Sequence, residues 1–542
     1  NTLSVNTFGQ LSYLVVDDFE SFRLSMRQML RSCGADKIEL VAQAGPAIQY
    51  CTYNHVDVVL CDYNLGKGKN GQHILEELRY KKLLKRSSLF LMVTAETSKE
   101  MVMGAREYQP DGYLTKPINR TILEQRLSSL IEQRNALLPV NQEIDRENYP
   151  KAISICLQML PRQPRYKTWL MKTLGDLYFR LGDLTHAAKI YDDVLAQREL
   201  SWAWLGRSKV LLANHDYDKA VDSLKQLIGK HPDYMEAYDL LAEGLEQQGK
   251  PTQAQDILEK AIKHSPNALL RQRHLAELAG SNQDMDVASG AWRRTVALST
   301  HSIHDSSKHY LALSQTLSDL SEGEPGEEST AYAEEALQTL QRMERRFTEE
   351  PDIGIQSRIV QCRILHAQGK KEDAANLLDG IRAELEGKHG DDASISLDYA
   401  KTLFRLEHSD DAKRLLAQLA EKYSDHSEIL RQIENLLDEP VGFRQKLQAR
   451  SLNREGIQAF ESGDLESAVD AFSKALNIVP DHAALNLNLV QVLMKKYQLD
   501  PTKKQLPEQC KSHLDRLSGL PEQHRQYQRY QALQRKLKEL LP

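Results

Sequence analysis

The sequence predicts an α/β domain with a doubly wound (βα)5 parallel sheet, followed by an all-α solenoid. From Leu11 to about Leu137, short β-branched runs alternate with helical patterns, which predicts parallel strands covered by helices on both faces. Beyond Pro139, no run of residues favours a strand, and apolar residues recur at helical spacing. The pattern also repeats about every 34 residues, a period typical of stacked helix pairs.

The chain has 542 residues, which is several domains' worth, because a single core seldom extends past about 250 to 300 residues. We predict three parts: a first domain over residues 1–137, a helical solenoid over 138–437 with an acidic loop near 321–329, and further repeats with capping helices over 438–542. After the first domain, the helix that follows Pro117 is expected to stop near Pro139.

The overall charge and the cysteine pattern narrow the class of protein. The net charge of −6 argues against general attraction to nucleic acid or to membrane surfaces. No apolar run approaches the roughly 20 residues of a membrane span, and the first ten residues lack a signal-peptide pattern. The six cysteines are scattered and predict reduced thiols. These features predict a cytoplasmic protein that binds neither DNA nor membrane.

Polar side chains end several of the predicted strands. Asp62 closes the buried run that begins at Val56, and Asp17 and Asp18 follow an earlier one, while Thr94 and Lys116 close two later runs. Because the carboxyl ends of parallel strands meet at one edge of a sheet, these side chains should converge. Clustered carboxylates with one open side suit Mg²⁺ (or Mn²⁺). A carboxylate there can attack a phosphoryl group that the hydroxyl and the ammonium help to hold.

As a set, these residues resemble the response-regulator receiver domain of CheY-like two-component proteins. The resemblance implies that Asp62 is the phosphoacceptor and that Lys116 and Thr94 contact the phosphate. It implies metal ligation by Asp17, Asp18, Asp62 and the backbone carbonyl of Asn64. It also implies a cis peptide between Lys116 and Pro117, and a switch formed by Thr94, Tyr113 and Pro117.

The loop after the phosphoacceptor departs from the family pattern. Many receivers have a Met-Pro pair here, whereas this loop contains Gly66, Gly68 and Gly71, so we expect it to be mobile. Asn64 and Glu96 lie two positions beyond Asp62 and Thr94, a pairing similar to that of chemotaxis-type receivers with short-lived phosphates. The resemblance therefore implies that Asn64 and Glu96 modulate dephosphorylation.

The helical part resembles tetratricopeptide repeats. The clearest unit has its aromatic, small, turn and proline residues in the order of that family: Tyr238, Leu241, Ala242, Leu245, Gly249, Ala254, Leu258, Ala261 and Pro266. A second unit reads Gly456, Gly463, Ala468, Phe472, Ala475 and Pro480. The alanines let paired helices approach closely, and the glycines make the turns between them.

Two other clusters of side chains have an ordinary explanation. His301, His304 and His309 lack a carboxylate or thiol set for a metal, so we predict a solvated helix face. Basic residues interleaved with tyrosines near the end are interpreted as the outer face of capping helices, because no unit is present that would read DNA bases. They are Lys503, Lys504, Arg525, Tyr527, Arg529, Tyr530, Arg535, Lys536 and Lys538.

The two resemblances together predict a bacterial response regulator whose output is protein binding. A sensor histidine kinase, a phosphotransfer protein or a small phosphodonor would phosphorylate Asp62, and the receiver surface around its fourth helix, fifth strand and fifth helix would then change. The solenoid would bind a protein or peptide in its concave groove, and a homodimer is compatible with this scheme. No enzymatic output is expected beyond the receiver's own phosphotransfer and dephosphorylation. The alternative is a constitutive scaffold with a vestigial receiver.

Overall fold

The computed structural model describes residues 7–95, 108–387 and 392–541. The chain divides into two compact units, Asn1–Ser306 and Ser307–Pro542, and each is considered by itself below. The boundaries proposed from the sequence, after residues 137 and 437, remain predictions, because they separate segments by sequence pattern rather than by compactness.

The first unit begins with a parallel sheet in the order β2-β1-β3-β4-β5. Its strands are β1 Ser12–Val16, β2 Lys37–Val41, β3 Val58–Asp62, β4 Leu89–Thr94 and β5 Gly112–Thr115. Its described helices are α1 Glu20–Ser32, α2 Ala44–Tyr53, α3 Gly71–Tyr80 and α4 Arg120–Asp145. Helices α1 and α4 pack on one face of the sheet, and α2 and α3 pack on the other. The predicted doubly wound sheet is confirmed.

Helix α4 is longer than the sequence predicted. The expected end near Pro139 is wrong, since the helix continues to Asp145 with the proline inside it. Beyond the proline position, Val140 and Ile144 are buried in a cluster with the next helices, and Leu137 just before the proline is buried in the same cluster. Burial of each side chain beyond the proline contributes roughly 1.5 to 3 kcal/mol, so the two together offset the cost of about 3 kcal/mol for a proline within a helix.

The rest of the first unit consists of antiparallel helix pairs. The helices are α5 Tyr149–Met159, a 3-10 turn Pro164–Tyr166, α6 Lys167–Arg180, α7 Leu184–Gln197, α8 Ser201–Ala213, α9 Tyr217–Lys230, α10 Met235–Gln247, α11 Pro251–His264, α12 Leu269–Ser281 and α13 Met285–Ser299. Gly182 and Gly249 occupy the turns within two pairs, with φ of 75° and 74°. The left-handed backbone explains why glycine is favoured there.

Tyr191 of α7 is wedged between two glycines of neighbouring helices. A Cβ atom added to Gly206 of α8 would lie 2.3 Å from its ring, and one added to Gly175 of α6 would lie 2.6 Å from it. We therefore expect Gly206→Ala to destabilise the repeats by about 1 to 3 kcal/mol, because the added methyl group would force the ring out of its place between the two helices. Urea unfolding followed by tryptophan fluorescence measures this, since all four tryptophans lie between residues 169 and 292.

Gly290 provides the matched control for this substitution. It lies within α13, is exposed, and nothing lies within 4 Å of an added Cβ. Gly290→Ala should therefore stabilise the helix by roughly 0.5 to 1 kcal/mol. Equal stabilities of the two alanine variants would contradict the packing argument.

The second unit is helical throughout its described residues. Its helices are α14 Ser307–Ser321, α15 Glu327–Arg346, α16 Ile353–Ala367, α17 Lys371–Gly387, α18 Ala393–Arg405, α19 Ser409–Lys422, α20 Ser427–Asp438, α21 Phe443–Glu461, α22 Leu465–Ile478, α23 Ala483–Leu499, α24 Gln505–Asp515 and α25 Tyr527–Leu540. The acidic loop predicted near residues 321–329 is shorter, because α15 already begins at Glu327. Glutamates at the start of a helix complement its dipole, which favours the early start.

The structure bears on the predictions about cysteines and about membrane spans. All six cysteines are free thiols, as predicted. None of the described helices combines the length and the hydropathy needed to cross a bilayer.

Asp438, at the end of α20, makes the second unit sensitive to pH. Burial, Glu434 and Glu439 raise its pKa to about 7, and its carboxyl group accepts a hydrogen bond from the Ala483 N–H. The folded chain therefore binds a proton that the unfolded chain releases near pH 4. This contribution to stability is lost as the pH rises from about 4 to about 7.

We expect Asp438→Asn to keep the hydrogen bond and to remove this titration. The advantage of the variant over the wild type should grow between about pH 4 and pH 7, reaching about 4 kcal/mol, and stay constant above that range. Hydrogen exchange at α23 as a function of pH measures it. A difference that does not change with pH would contradict the assignment.

Candidate functional site

The carboxylates predicted at the edge of the sheet lie together. Strands β1 and β3 are neighbours, and Val16 is in register with Cys61, so Asp17 and Asp62 emerge side by side. Carboxylate oxygens of Asp17, Asp18 and Asp62 all lie within 4.8 Å of one another. Asp17 and Asp62 are buried, whereas Asp18 is exposed. The cluster is therefore open to solvent on one side only.

Lys116 joins these carboxylates from the end of β5. Its Nζ lies 2.9 Å from Asp17 Oδ2 and 3.3 Å from Asp62 Oδ2. Burial raises the pKa of Asp62, Lys116 lowers it and Asp17 raises it again, so the net shift is upward. Burial acts to lower the pKa of Lys116, but the two carboxylates outweigh it and raise that pKa. Lys116 therefore stays protonated and neutralises part of the negative charge of Asp17 and Asp62.

The residues present fit a hard divalent cation. Three carboxylates with one solvent-exposed member supply oxygen ligands and leave room for water, which is the environment Mg²⁺ prefers. The Asn64 backbone N–H donates a hydrogen bond to Asp62, which places the start of the following loop beside the cluster. Ligation by the Asn64 carbonyl remains a prediction. Within the described ranges, no other group of three or more acids, histidines or cysteines is placed to hold a metal.

The remaining receiver-type positions flank the cluster. Thr94 ends β4 and is buried, and its carbonyl accepts a hydrogen bond from the Lys116 N–H at 2.8 Å. The peptide between Lys116 and Pro117 is cis, as predicted. Tyr113 is half-buried against the core on the α2 and α3 face of the sheet. Glu96, predicted to modulate dephosphorylation, lies outside the described residues.

Helix α1 contributes two contacts that the sequence pattern did not single out. The Phe22 ring lies beneath Lys116, 4.0 Å from Nζ to the ring centroid, a cation–π arrangement. Arg23 Nη1 donates a hydrogen bond to the Asp17 carbonyl at 2.8 Å. Both residues lie in the first turns of the helix that follows the acidic pair, and that proximity in sequence is the signal that could have identified them.

The prediction of a solvated face for the three histidines is wrong. His309 is 3% exposed, and His304 is half-buried with its ring against two tyrosines. Only His301 is exposed, and its ring still contacts His73 of α3. The helical spacing of histidines does not reveal these partners, because they come from distant parts of the chain. The prediction of an outer face is met for the basic C-terminal residues that are exposed, which are Lys503, Lys504, Arg525, Arg535, Lys536 and Lys538. Arg529 differs, because it donates hydrogen bonds to Asn488 and Gln491 of α23.

The sheet, its acidic edge and the helix pairs define a receiver-type α/β domain joined to a helical-repeat region. The family model described as "Response regulator receiver domain" matches residues 13–128. Two models described as "Tetratricopeptide repeat" match residues 172–234 and 211–278. The chain is thus a response-regulator-like protein: a CheY-like receiver domain with a tetratricopeptide-repeat region.

Two curated chemotaxis proteins are similar to about a quarter of this chain. "Chemotaxis protein CheY-3" of Vibrio cholerae is 28% identical over 123 residues, which are 23% of this chain and 93% of that protein. "Chemotaxis protein CheY" of Pseudomonas aeruginosa is 26% identical over 125 residues, 23% of this chain and 99% of that protein. Both are bacterial, which fits the predicted origin.

Two solved structures are similar to part of this chain. A CheY-like receiver domain protein from Methanospirillum hungatei JF-1 is 24% identical and covers 23% of this chain and 97% of its own, with a TM-score of 0.21. "MamA 41-end" from Desulfovibrio magneticus RS-1 is 20% identical and covers 32% of this chain and 97% of its own, with a TM-score of 0.28.

Proposed function

We propose that this protein is a phosphorylation-controlled regulator that accepts a phosphoryl group on Asp62. The donor is a sensor histidine kinase, a phosphotransfer protein or a small phosphodonor, and the setting is the cytoplasm. One observation carries the proposal: the site joins a nucleophilic carboxylate, two further acids and a lysine at a single solvent-open edge.

The chemistry follows from the positions of these groups. An Asp62 oxygen attacks phosphorus, the bond from phosphorus to the donor's leaving group breaks, and an acyl phosphate forms. Lys116, already within 3.3 Å of Asp62, balances the charge of the transferred group. Mg²⁺ held by Asp17, Asp18 and Asp62 supplies further charge neutralisation when it is bound. Hydrolysis by water restores the carboxylate and releases inorganic phosphate.

The output is binding of a protein or peptide in the groove of the first unit. A cavity of about 840 Å³ there is lined by residues of α6, α8 and α10, the first helices of three successive pairs. Arg180 and Lys209 stand in the same groove as Glu243 and Glu246, beside the apolar Phe179. This mixture favours a partner with both charged and apolar side chains. Phosphorylation would change the fraction of molecules whose repeats are in the conformation that binds this partner.

A comparative capture experiment tests this output. Wild-type chain, Asp62→Ala and Lys209→Glu are immobilised with Mg²⁺, each with and without beryllofluoride, which mimics the phosphoryl group. We expect the amount of a retained protein to change with beryllofluoride in the wild type but not in Asp62→Ala. Retention by Lys209→Glu should be lower than that by the wild type under both conditions. Retention that is identical in all arms would instead support the constitutive scaffold.

We further propose that phosphorylated Asp62 is short-lived. The Asn64 side chain supports this proposal: it is exposed, lies two residues beyond the phosphoacceptor and accepts a hydrogen bond from the Gly66 N–H. The phosphorylated chain, freed of donor in the presence of Mg²⁺, should lose its phosphate within minutes, measured as inorganic phosphate released. Persistence of the phosphate for many hours would contradict this expectation.

A further inference from the structure

A contact far along the chain joins the receiver to the repeats through α3. Glu76 accepts a hydrogen bond from the Ser302 hydroxyl at 3.0 Å, although the two residues are 226 positions apart. One turn earlier on α3, the His73 ring lies against His301, with centroids 6.1 Å apart and planes at 69°. The chain therefore leaves the receiver through α4 and returns to its α3 after α5 and four helix pairs.

The next residues of this segment extend the contact. The His304 ring meets Tyr80 edge to face at 5.7 Å and stacks on Tyr108 at 6.4 Å. The Ser302 hydroxyl also accepts a hydrogen bond from the His304 N–H at 3.1 Å, which fixes the turn. Ser302 is 8% exposed, whereas Tyr80 remains 59% exposed. The contact is thus well ordered but small.

A short loop connects this contact directly to the phosphoacceptor. Tyr63 follows Asp62, and its carbonyl accepts a hydrogen bond from the Gly71 N–H at 2.8 Å. At the end of the loop, the Asn70 side chain accepts from the His73 N–H at 3.0 Å, and the Asn70 N–H donates to His73 Nδ1 at 2.9 Å. The loop therefore sets the orientation of the ring that touches the repeats.

The surroundings of the loop suit a movable element. A cavity of about 280 Å³ separates Tyr63 and Asn70 from Arg294 and His301 of the repeats. Burial, together with His301 and Lys69, lowers the pKa of His73 to about 4, so its Nδ1 stays an acceptor at neutral pH. If the loop moves, it can enter this cavity, and the two hydrogen bonds between Asn70 and His73 can break.

We propose that the face of α3 formed by His73, Glu76 and Tyr80 is the output surface of this receiver. It holds residues 301–304 in the unmodified chain, and phosphorylation of Asp62 weakens that hold by shifting the loop and withdrawing Asn70 from His73. This inference rests on the proposed function, and it moves the output from the surface expected from the sequence to α3. A phosphate can shift the equilibrium between the held and released segment only by the difference in its stabilisation of the two states. A small contact suits this role, because little free energy is needed to release it.

Hydrogen exchange of the full chain tests the proposal. Exchange at residues 300–306 is compared with and without acetyl phosphate and Mg²⁺, while mass spectrometry of the same samples measures phosphate on Asp62. We expect phosphorylation to raise the exchange rate of this segment about fivefold, the factor that corresponds to loss of one net hydrogen bond. Asp62→Ala should show no response to the donor.

Two variants test the contact without phosphate. Ser302→Ala removes the bond to Glu76, and Tyr80→Ala removes an exposed ring that the fold does not need, so each should raise the exchange of residues 300–306 by a similar factor. Ser281→Ala, which loses only a bond to its own helix, should leave it unchanged.

The possible results separate this inference from the proposed function. If Asp62 is phosphorylated while the exchange of residues 300–306 stays the same, the inference fails and the proposed function stands. If no phosphate is found on Asp62, the proposed function fails. If both contact variants behave like Ser281→Ala, the α3 face does not hold the segment, and the inference fails whatever the state of Asp62.

Discussion

An Asp62→Asn variant is expected to take up no covalent phosphate from acetyl phosphate, whereas the wild type becomes phosphorylated. The amide cannot form an acyl phosphate by the same attack, yet it matches the carboxylate in size and should leave the sheet intact. Only 6% of Asp62 is exposed, and its edge lies toward Asp18 and solvent, so a small donor can reach it. Intact-protein mass spectrometry after brief incubation with Mg²⁺ measures the uptake.

Two controls make this result specific. Asp36→Asn, at an exposed aspartate beyond α1, should leave phosphate uptake at the wild-type level. Removal of divalent metal with a chelator should abolish uptake by the wild type, because Asp17 and Asp62 then keep an excess of negative charge that opposes an anionic donor. Phosphate that still appears on Asp62→Asn, or uptake that survives the chelator, would contradict the assignment of the site.

The receiver site could be predicted because its signals are local. Strands β1 and β3 end where an apolar, largely β-branched run gives way to an aspartate, at Asp17 and Asp62, and Lys116 directly follows β5. In a parallel sheet, the ends of adjacent strands meet at one edge, so convergence follows from fold class without knowledge of distant contacts. The turn glycines of the repeats, such as Gly249, are local signals of the same kind.

The features that could not be predicted depend on partners remote in the sequence. Pro139 looks like a helix end until the burial of Val140 and Ile144 against later helices is known. His304 looks solvated until Tyr80 and Tyr108, nearly 200 residues or more away, are seen to pack on it. In both cases the local sequence pattern favours one environment, and contacts with distant residues determine another.

A buried ion pair between two repeats belongs to the same unpredicted group and has a large expected effect. Arg271 of α12 donates two hydrogen bonds to Asp239 of α10, at 2.8 and 2.9 Å, and the two side chains are 1% and 3% exposed. Asp239→Ala would leave a guanidinium buried without its anion. We expect this variant to lose about 3 to 5 kcal/mol of the free energy of unfolding, measured by urea unfolding with tryptophan fluorescence.

Further variants separate the charge from the packing. Asp239→Leu combined with Arg271→Met should recover most of the loss, because apolar residues of similar volume often replace a buried pair at little cost. Glu199→Ala breaks an exposed ion pair, in which the side chains of Glu199 and Lys230 are 55% and 58% exposed. It should lower the free energy of unfolding by at most about 1 kcal/mol. If Asp239→Ala were no more destabilising than Glu199→Ala, the buried pair would not stabilise the stacking of these repeats. If the double variant were as unstable as Asp239→Ala, lost packing rather than the unpaired cation would be the cause.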